Sequence, residues 1–466
     1  MNTPNTPNPT AGGTPQPSLM VPPRSFAGPI VLIIIGLVFL ALNLGMIGRP
    51  TMFRLFADYW PLLIILWGVI KLFEYQRDRN AGFRPRGIGF GGFVLLFFLI
   101  MFGLAASGAR HVNWNRVSDE IEIDDNVFTI FGERYDFTQN LEQELPANAQ
   151  LKLNNDRGAI TVNPSPDNKL RITVAKQIVA GSRSEAEDIN RSMEPEITIV
   201  GNVVNVNVKS YRKGSRLNFD VQVPASVPVE LLSLRGDLTV LQRQADVKAH
   251  ASVGDIRLEE IKGNVDVHFR HGDLVAHRID GDVAVEGRGG ETDIADVTGA
   301  VELRGTYGGP LHFARIGKEL RFKSTRTDLQ FAKLDGELTV SNDEMTARQF
   351  AGPTRLRTRS YRIRFEEFSG DLGLENANGD VLVRPGRAPV GNITIDNGRG
   401  DVELVLPSGA NFTLDARSRR GDINSSFDGL KVDSSGRDSS ATGTIGSGGA
   451  KVNVNTDTGA IDIRKG

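Results

Sequence analysis

From Tyr135 onward the chain alternates apolar and polar residues in short runs. LKLNN, AITVN, LRITVAK, EITIVG, NVVNVNVK and LNFDVQVP each put every second side chain on one face, the pattern of a half-buried strand. One stretch departs from it. Between Ser182 and Met193, Ser182 or Ser184 can cap a helix whose first turns hold Glu185, Glu187 and Asp188. Residues 135–232 therefore read as a β-rich module with one short helix.

From Gly236 the alternation acquires a period. Taking the residue before each x-Φ-x-Φ strand as an anchor, anchors fall at Gly236, Ala245, Gly254, Gly263, Gly272, Gly281, Gly290 and Gly299, a spacing of nine. Apolar residues follow two and four positions later, as in Leu238 and Val240, Ile256 and Leu258, Val265 and Val267, Val283 and Val285. The register slips by one and resumes at Gly309, Lys318, Thr327 and Gly336; later strands start less regularly at Gly370, Gly379, Gly391, Gly400, Gly421 and Gly459. Nine residues make one strand of about five residues plus one corner. A single such strand buries two side chains and is unstable alone, whereas a stack of them makes one continuous core. Residues 233–466 are thus expected to form a β-solenoid-like domain of stacked short strands, with an elongated β-sandwich as the alternative. Spacing alone leaves open whether two or three strands complete a coil.

The N-terminal quarter follows another rule. Residues 27–48 run for 22 positions without a charge, enough to cross a bilayer as a helix. A second apolar segment, 55–73, spans if Asp58 and Lys71 sit at the two interfaces, with Tyr59, Trp60 and Trp67 in the interfacial belt. A third, 87–109, has 23 uncharged residues. The expectation is an anchor of three helical spans over residues 26–109, preceded by a disordered Pro/Thr/Asn-rich tail (1–25) and followed by a linker (110–134). The loop 71–86 carries Lys71, Arg77, Arg79, Arg84 and Arg86 against Arg49 and Arg54 in 49–58, which puts the five-cation loop in the cytoplasm and the large C-terminal domain outside it.

Composition narrows the functions. With 54 basic and 56 acidic residues the net charge is −2, which argues against nucleic-acid binding as the main work. The absence of cysteine removes disulfides, thiolate metal sites and cysteine nucleophiles. The 51 glycines fit many corners.

GPIVLIIIGLVFLALNLGMIG followed by YWPLLIILWGVIKL, with Trp60, Pro61 and Gly68 as its membrane motif, resembles the LiaI/LiaF-like transmembrane region of bacterial envelope proteins. The segment from about 140 to 466 resembles the bacterial "putative adhesin" domain of β-strand repeats. Its G-D-Φ-x-Φ units, FDVQVPASVPVEL, VELVLPSGANFTLDARSRRGDI and TDTGAIDI carry that likeness. The third hydrophobic segment falls between the two regions. The resemblance implies an envelope membrane protein tied to envelope stress, and it implies no catalytic residues.

Candidate chemistry is sparse. Arg-Gly-Asp occurs at 235–237, 399–401 and 420–422, each time inside a repeat turn (Gly236 among them), where Gly-Asp is explained by the corner. His250, His268, His271 and His277 lack zinc-type spacing. Asp237, Asp255, Asp273 and Asp282 recur after glycine without the paired glycines of a calcium nonapeptide, so turn capping is expected of them. No G-x-S-x-G, H-E-x-x-H or P-loop pattern appears, and uniform nine-residue spacing leaves no room for catalytic loops between 236 and 303. No catalytic residue, metal or cofactor is assigned. Arg355, Arg357, Arg359, Arg362 and Arg364 form a candidate anion patch. The expected role is non-enzymatic: an interaction, sensing or scaffold surface whose partners are the lipid bilayer and another envelope membrane protein, a cell-wall polymer or a second copy. A surface adhesin and a cytoplasmic membrane-bound scaffold that polymerises are the alternatives.

Overall fold

The computed structural model describes residues 49–80, 133–212 and 214–466, with isolated helical positions at 40, 96–97 and 100–101. The chain divides into two compact units, residues 1–133 with 180–182, and residues 134–179 with 183–466.

In the first unit, helix α1 (Arg49–Asn80) runs through Pro61. It contains the second expected span and leaves Leu62, Leu63, Ile65, Leu66, Val69, Leu72 and Phe73 exposed. The spans expected at 27–48 and 87–109 lie almost wholly outside the described residues, as do the tail and the linker. Among the described residues no helix is long and apolar enough to cross a membrane.

The second unit is a β-solenoid with two strands per coil. Val247–Val253 pairs in parallel with Val229–Arg235 on one side and Val265–His271 on the other. Ile256–Lys262 pairs the same way with Leu238–Arg243 and Leu274–Asp280. Val247 faces Val265 and Ile256 faces Leu274, so one coil takes 18 residues, two of the nine-residue units. Even and odd repeats therefore build two separate ladders that share one core. The expected positions +2 and +4 fill it: Leu238, Val240, Leu258, Val267 and Leu303 are fully or almost fully buried. The one-residue slip of the sequence appears where Thr292 faces Leu311 and Val301 faces Leu320, a step of 19.

The β-rich module at 135–232 joins the same ladders. Gln150–Arg157 lies against Val229–Arg235, and Ile160–Pro164 against Leu238–Arg243. Antiparallel strands finish this end: Pro195–Val200 on Val203–Val208, and Lys169–Ala180 on Arg216–Val223. Helix α2 (Arg183–Ser192) forms where the capping pattern put a helix, burying Ala186 and Ile189.

Two features break the regular stack. Asp328–Val340 runs antiparallel to the strands before it and to Glu344–Thr358 after it, so one reversed rung is set between two runs of the same direction. Phe331, Phe350, Phe365 and Phe368 pack ring on ring there, with centroids 4.7 Å apart for Phe331–Phe350 and 4.9 Å for Phe350–Phe368. The anchors at Thr327 and Gly336 keep the nine-residue phase across a rung of opposite direction. At the far end Ala450–Thr458 is seated between Ile393–Arg399 and Phe412–Ser418, and Ile461–Lys465 between Val402–Leu406 and Ile423–Ser425. Asp438–Ile445 then pairs antiparallel with Phe412–Ser418, and Leu430–Ser435 with Asp438–Ile445.

Candidate functional site

The corners come in two kinds. Gly236, Gly254 and Gly272 form one column with φ of 147°, 142° and 134°. A Cβ on Gly254 would meet the carbonyl oxygen of Gly236 in the coil beneath. Ala245, Gly263, Gly281 and Gly299 form the other column, which tolerates an alanine at its first position. The polar side chains that follow these corner residues bond to backbone. Asp237 Oδ1 accepts the backbone N–H of Asp255 at 3.0 Å, Asp255 that of Asp273 at 2.9 Å, and Asp273 that of Glu291 at 2.8 Å. In the second column Asp246, Asn264 and Asp282 do the same for Asn264, Asp282 and Ala300. Each bond runs to the next coil, 18 residues on, rather than to the local turn, so the aspartates tie coil to coil.

Two of the three Arg-Gly-Asp sequences sit in this device: Asp237 bonds as above and Asp401 accepts the N–H of Ala460 at 2.8 Å. The histidines divide. His250 and His268 stack at 4.9 Å on neighbouring rungs, and His277 Nε2 lies 2.9 Å from Asp293 Oδ2. Among the described residues no cluster of three or more His, Asp or Glu side chains is arranged to hold a metal ion. Burial, and after it the neighbouring His268, hold the His250 imidazole below its ordinary value.

The five arginines of the candidate anion patch are distributed over two ladders. Arg355 and Arg357 lie on the strand segment paired with Leu372–Asn376, Arg362 and Arg364 on the strand paired with Glu344–Arg348 in the other ladder, and Arg359 at the corner between. Arg357 is held by Glu375 at 2.6 and 3.0 Å, and Arg362 by Asp343 at 2.8 Å. Of the membrane motif, Trp60, Pro61 and Gly68 lie in α1, and a Cβ on Gly68 would meet nothing within 4 Å.

Two features had no local signature. Arg243 is buried and its guanidinium donates to the carbonyls of Val223, Pro224 and Val227 at 2.9, 2.7 and 2.6 Å, pinning a corner; burial pulls it down to about 10. A groove of about 420 Å³ lies along the second corner column, lined by Asp246, Lys248, Asp266, Asp282 and Glu302 among others. Its successive acids lie 16 or 20 residues apart and meet only when coils stack. Asp246 and Asp282 accept backbone N–H groups, Asp266 Oδ1 lies 3.3 Å from His268 Nδ1, and Glu302 accepts from Arg304 Nε at 2.8 Å.

Stacked parallel coils, regular corners and an apolar N-terminal region define a membrane-linked β-solenoid protein. The chain belongs to the Toastrack (DUF4097) family, whose model matches residues 148–464. Residues 27–115 match the LiaF transmembrane domain. Among solved structures, a "putative cell adhesion protein" from Clostridium sporogenes aligns at 11% identity over 72% of this chain and 100% of its own, with a TM-score of 0.16. A "putative adhesin" from Bacteroides fragilis aligns at 10% identity over 70% of this chain and 97% of its own, with a TM-score of 0.18. No curated protein matches.

Proposed function

We propose that this is a non-enzymatic bacterial envelope protein, held in the cytoplasmic membrane by three helical spans, whose solenoid lies outside the cytoplasm as an interaction, sensing or scaffold surface. One observation carries the reading: a LiaF-type transmembrane region is followed, in one chain, by a long stack of coils. Its corners are filled by glycine and by carboxylates already bonded to backbone. Such corners leave no long loop on which to mount a catalytic group, and they present broad, ordered ladder faces instead. The exposed apolar side of α1 supports the membrane part, since a surface of that size in water calls for lipid or a partner. The partners that fit are the bilayer and, for the solenoid, another envelope membrane protein, a wall polymer or a second copy; a link to envelope stress belongs to the same proposal.

Reporter fusions at Gly466 test it. A reporter active only outside the cytoplasm is expected to work there, and its cytoplasm-only counterpart to stay silent. The reverse result overturns the topology, and with it the sensing and adhesion roles.

A further inference from the structure

The C-terminal strand pair is seated out of chain order, and the two coils it separates are in register with each other through it. Ile393 and Leu414 both face Val452, and Val402 and Ile423 both face Ile461. Both intervals are 21 residues (414 − 393 and 423 − 402). The preceding coil steps by the same amount, Leu372 facing Ile393 and Val381 facing Val402. The corners repeat with it: Gly379, Gly400 and Gly421; Asp380, Asp401 and Asp422; Asn376, Asn397 and Ser418. Asp380 Oδ1 accepts the N–H of Asp401, and Asp401 Oδ1 accepts that of Ala460, where continuation of the 21-residue step would present Asp422. The chain thus encodes the terminal coil Phe412–Ser425 as the direct neighbour of the coil Ile393–Leu406, and Ala450–Lys465 interrupts that pairing.

The interrupting pair is joined to the domain through Gly446-Ser447-Gly448-Gly449, whose glycines have φ of 64°, 73° and 126°. Seated, it makes four parallel strand pairings and buries Val452, Val454, Ile461 and Ile463. If it leaves, closure of the terminal coil onto the coil beneath restores two pairings of the four. The seated arrangement is therefore the ground state, and the vacated one is less costly than an open gap. A released pair carries four unpaired strand edges and four apolar side chains fitted to one kind of slot. Asn455 Nδ2 bonds Asp396 at 2.8 Å, Asn424 bonds Asp462 at 3.0 Å, and Arg464 reaches Glu403 at 2.9 Å. A second copy of this chain offers that slot.

We propose that Ala450–Lys465 is an exchangeable strand pair: it leaves its own slot, which the terminal coil can close in the 21-residue register while it stands vacant, and the pair inserts into the same slot of a second copy whose own pair has left. The contacts made between copies are those given up within one, so the exchange is driven by concentration and set by the glycine hinge.

The chain has no cysteine, which makes the test clean. Full-length Asp396→Cys protein is mixed in detergent with affinity-tagged full-length Asn455→Cys protein under mild oxidation. Neither chain can form the 396–455 bond by itself. A mixed disulfide dimer that rises with concentration is expected, and Val454→Asp in the donor should lower it by about tenfold or more through burial of an unpaired carboxylate. Closure is read separately with Asp396→Cys/Arg417→Cys. These positions lie two rungs apart in the seated state, roughly 9–10 Å, beyond disulfide reach, and adjacent after closure. Slow formation of this intrachain bond is expected. The proposal is overturned if either bond fails to form while Asp396→Cys/Asn455→Cys closes its intrachain disulfide under the same conditions.

Discussion

A Cβ decides much of this fold one position at a time. Gly254 has a φ of 142° and the carbonyl of Gly236 where a side chain would go, so Gly254→Ala should destabilise by about 2 kcal/mol or more. Gly409→Ala, where a Cβ meets nothing within 4 Å, is the matched control and should change stability by about 0.5 kcal/mol or less. Denaturant midpoints of the full chain separate the two. Arg243→Met removes three buried donations at once and should cost about 3 kcal/mol, with Arg243→Lys recovering only part because an ammonium lacks the fork. His250 gives a pH signature. Burial and His268 lower its affinity for a proton, Lys248 adds to this, and Asp266 and Glu230 oppose it. The unfolded chain, at the ordinary value of 6.5, takes up protons the folded one resists. Stability is therefore whole above that value and declines as pH falls through it toward the folded value. His250→Gln should flatten this decline, seen as a smaller difference in melting temperature between about pH 7.5 and about pH 5.5.

At the scale of the element, a strand of this solenoid is held by its neighbour coil more than by its own turn. Asp255 accepts an N–H 18 residues away, so Asp255→Ala should cost about 1 kcal/mol and Asp255→Asn much less, since Asn264 performs the same task in the other column. Calcium should leave the melting temperature unchanged for the same reason. The strands themselves were legible because two of every five residues must be apolar and the intervening ones face water; Leu238, Val240, Ile256 and Leu258 announce their burial by spacing alone. The coil was not. Nine residues per strand is the same whether two or three strands close a turn, and the mark that separates the columns, positive φ at Gly236 and Gly254 but not at Gly263, is a backbone property that glycine hides. Gln242, Glu260, Arg278 and Asp296 also have positive φ at 18-residue steps, and their side chains share no chemistry that would reveal it. The arginines from 355 to 364 look contiguous in sequence and are divided by a corner in space.

For the whole molecule, stacking implies that each coil touches only its neighbours. Substitutions at Arg243 and Gly400 belong to coils far apart in the ladders, and their effects should add to within about 0.5 kcal/mol. Two topological facts lay beyond any local pattern: the reversed rung Asp328–Val340 and the seated C-terminal pair. Both obey the same two-residue alternation as their neighbours, so periodicity reports that they are strands and is silent on direction and order. The seated pair also constrains the time course of biogenesis. Every other parallel coil can be laid down as the chain emerges, but the place between Ile393–Leu406 and Phe412–Ser425 is filled by residues made after both of those coils. That part of the stack is therefore completed only once residues 450–465 have been made, after both of the coils that flank them.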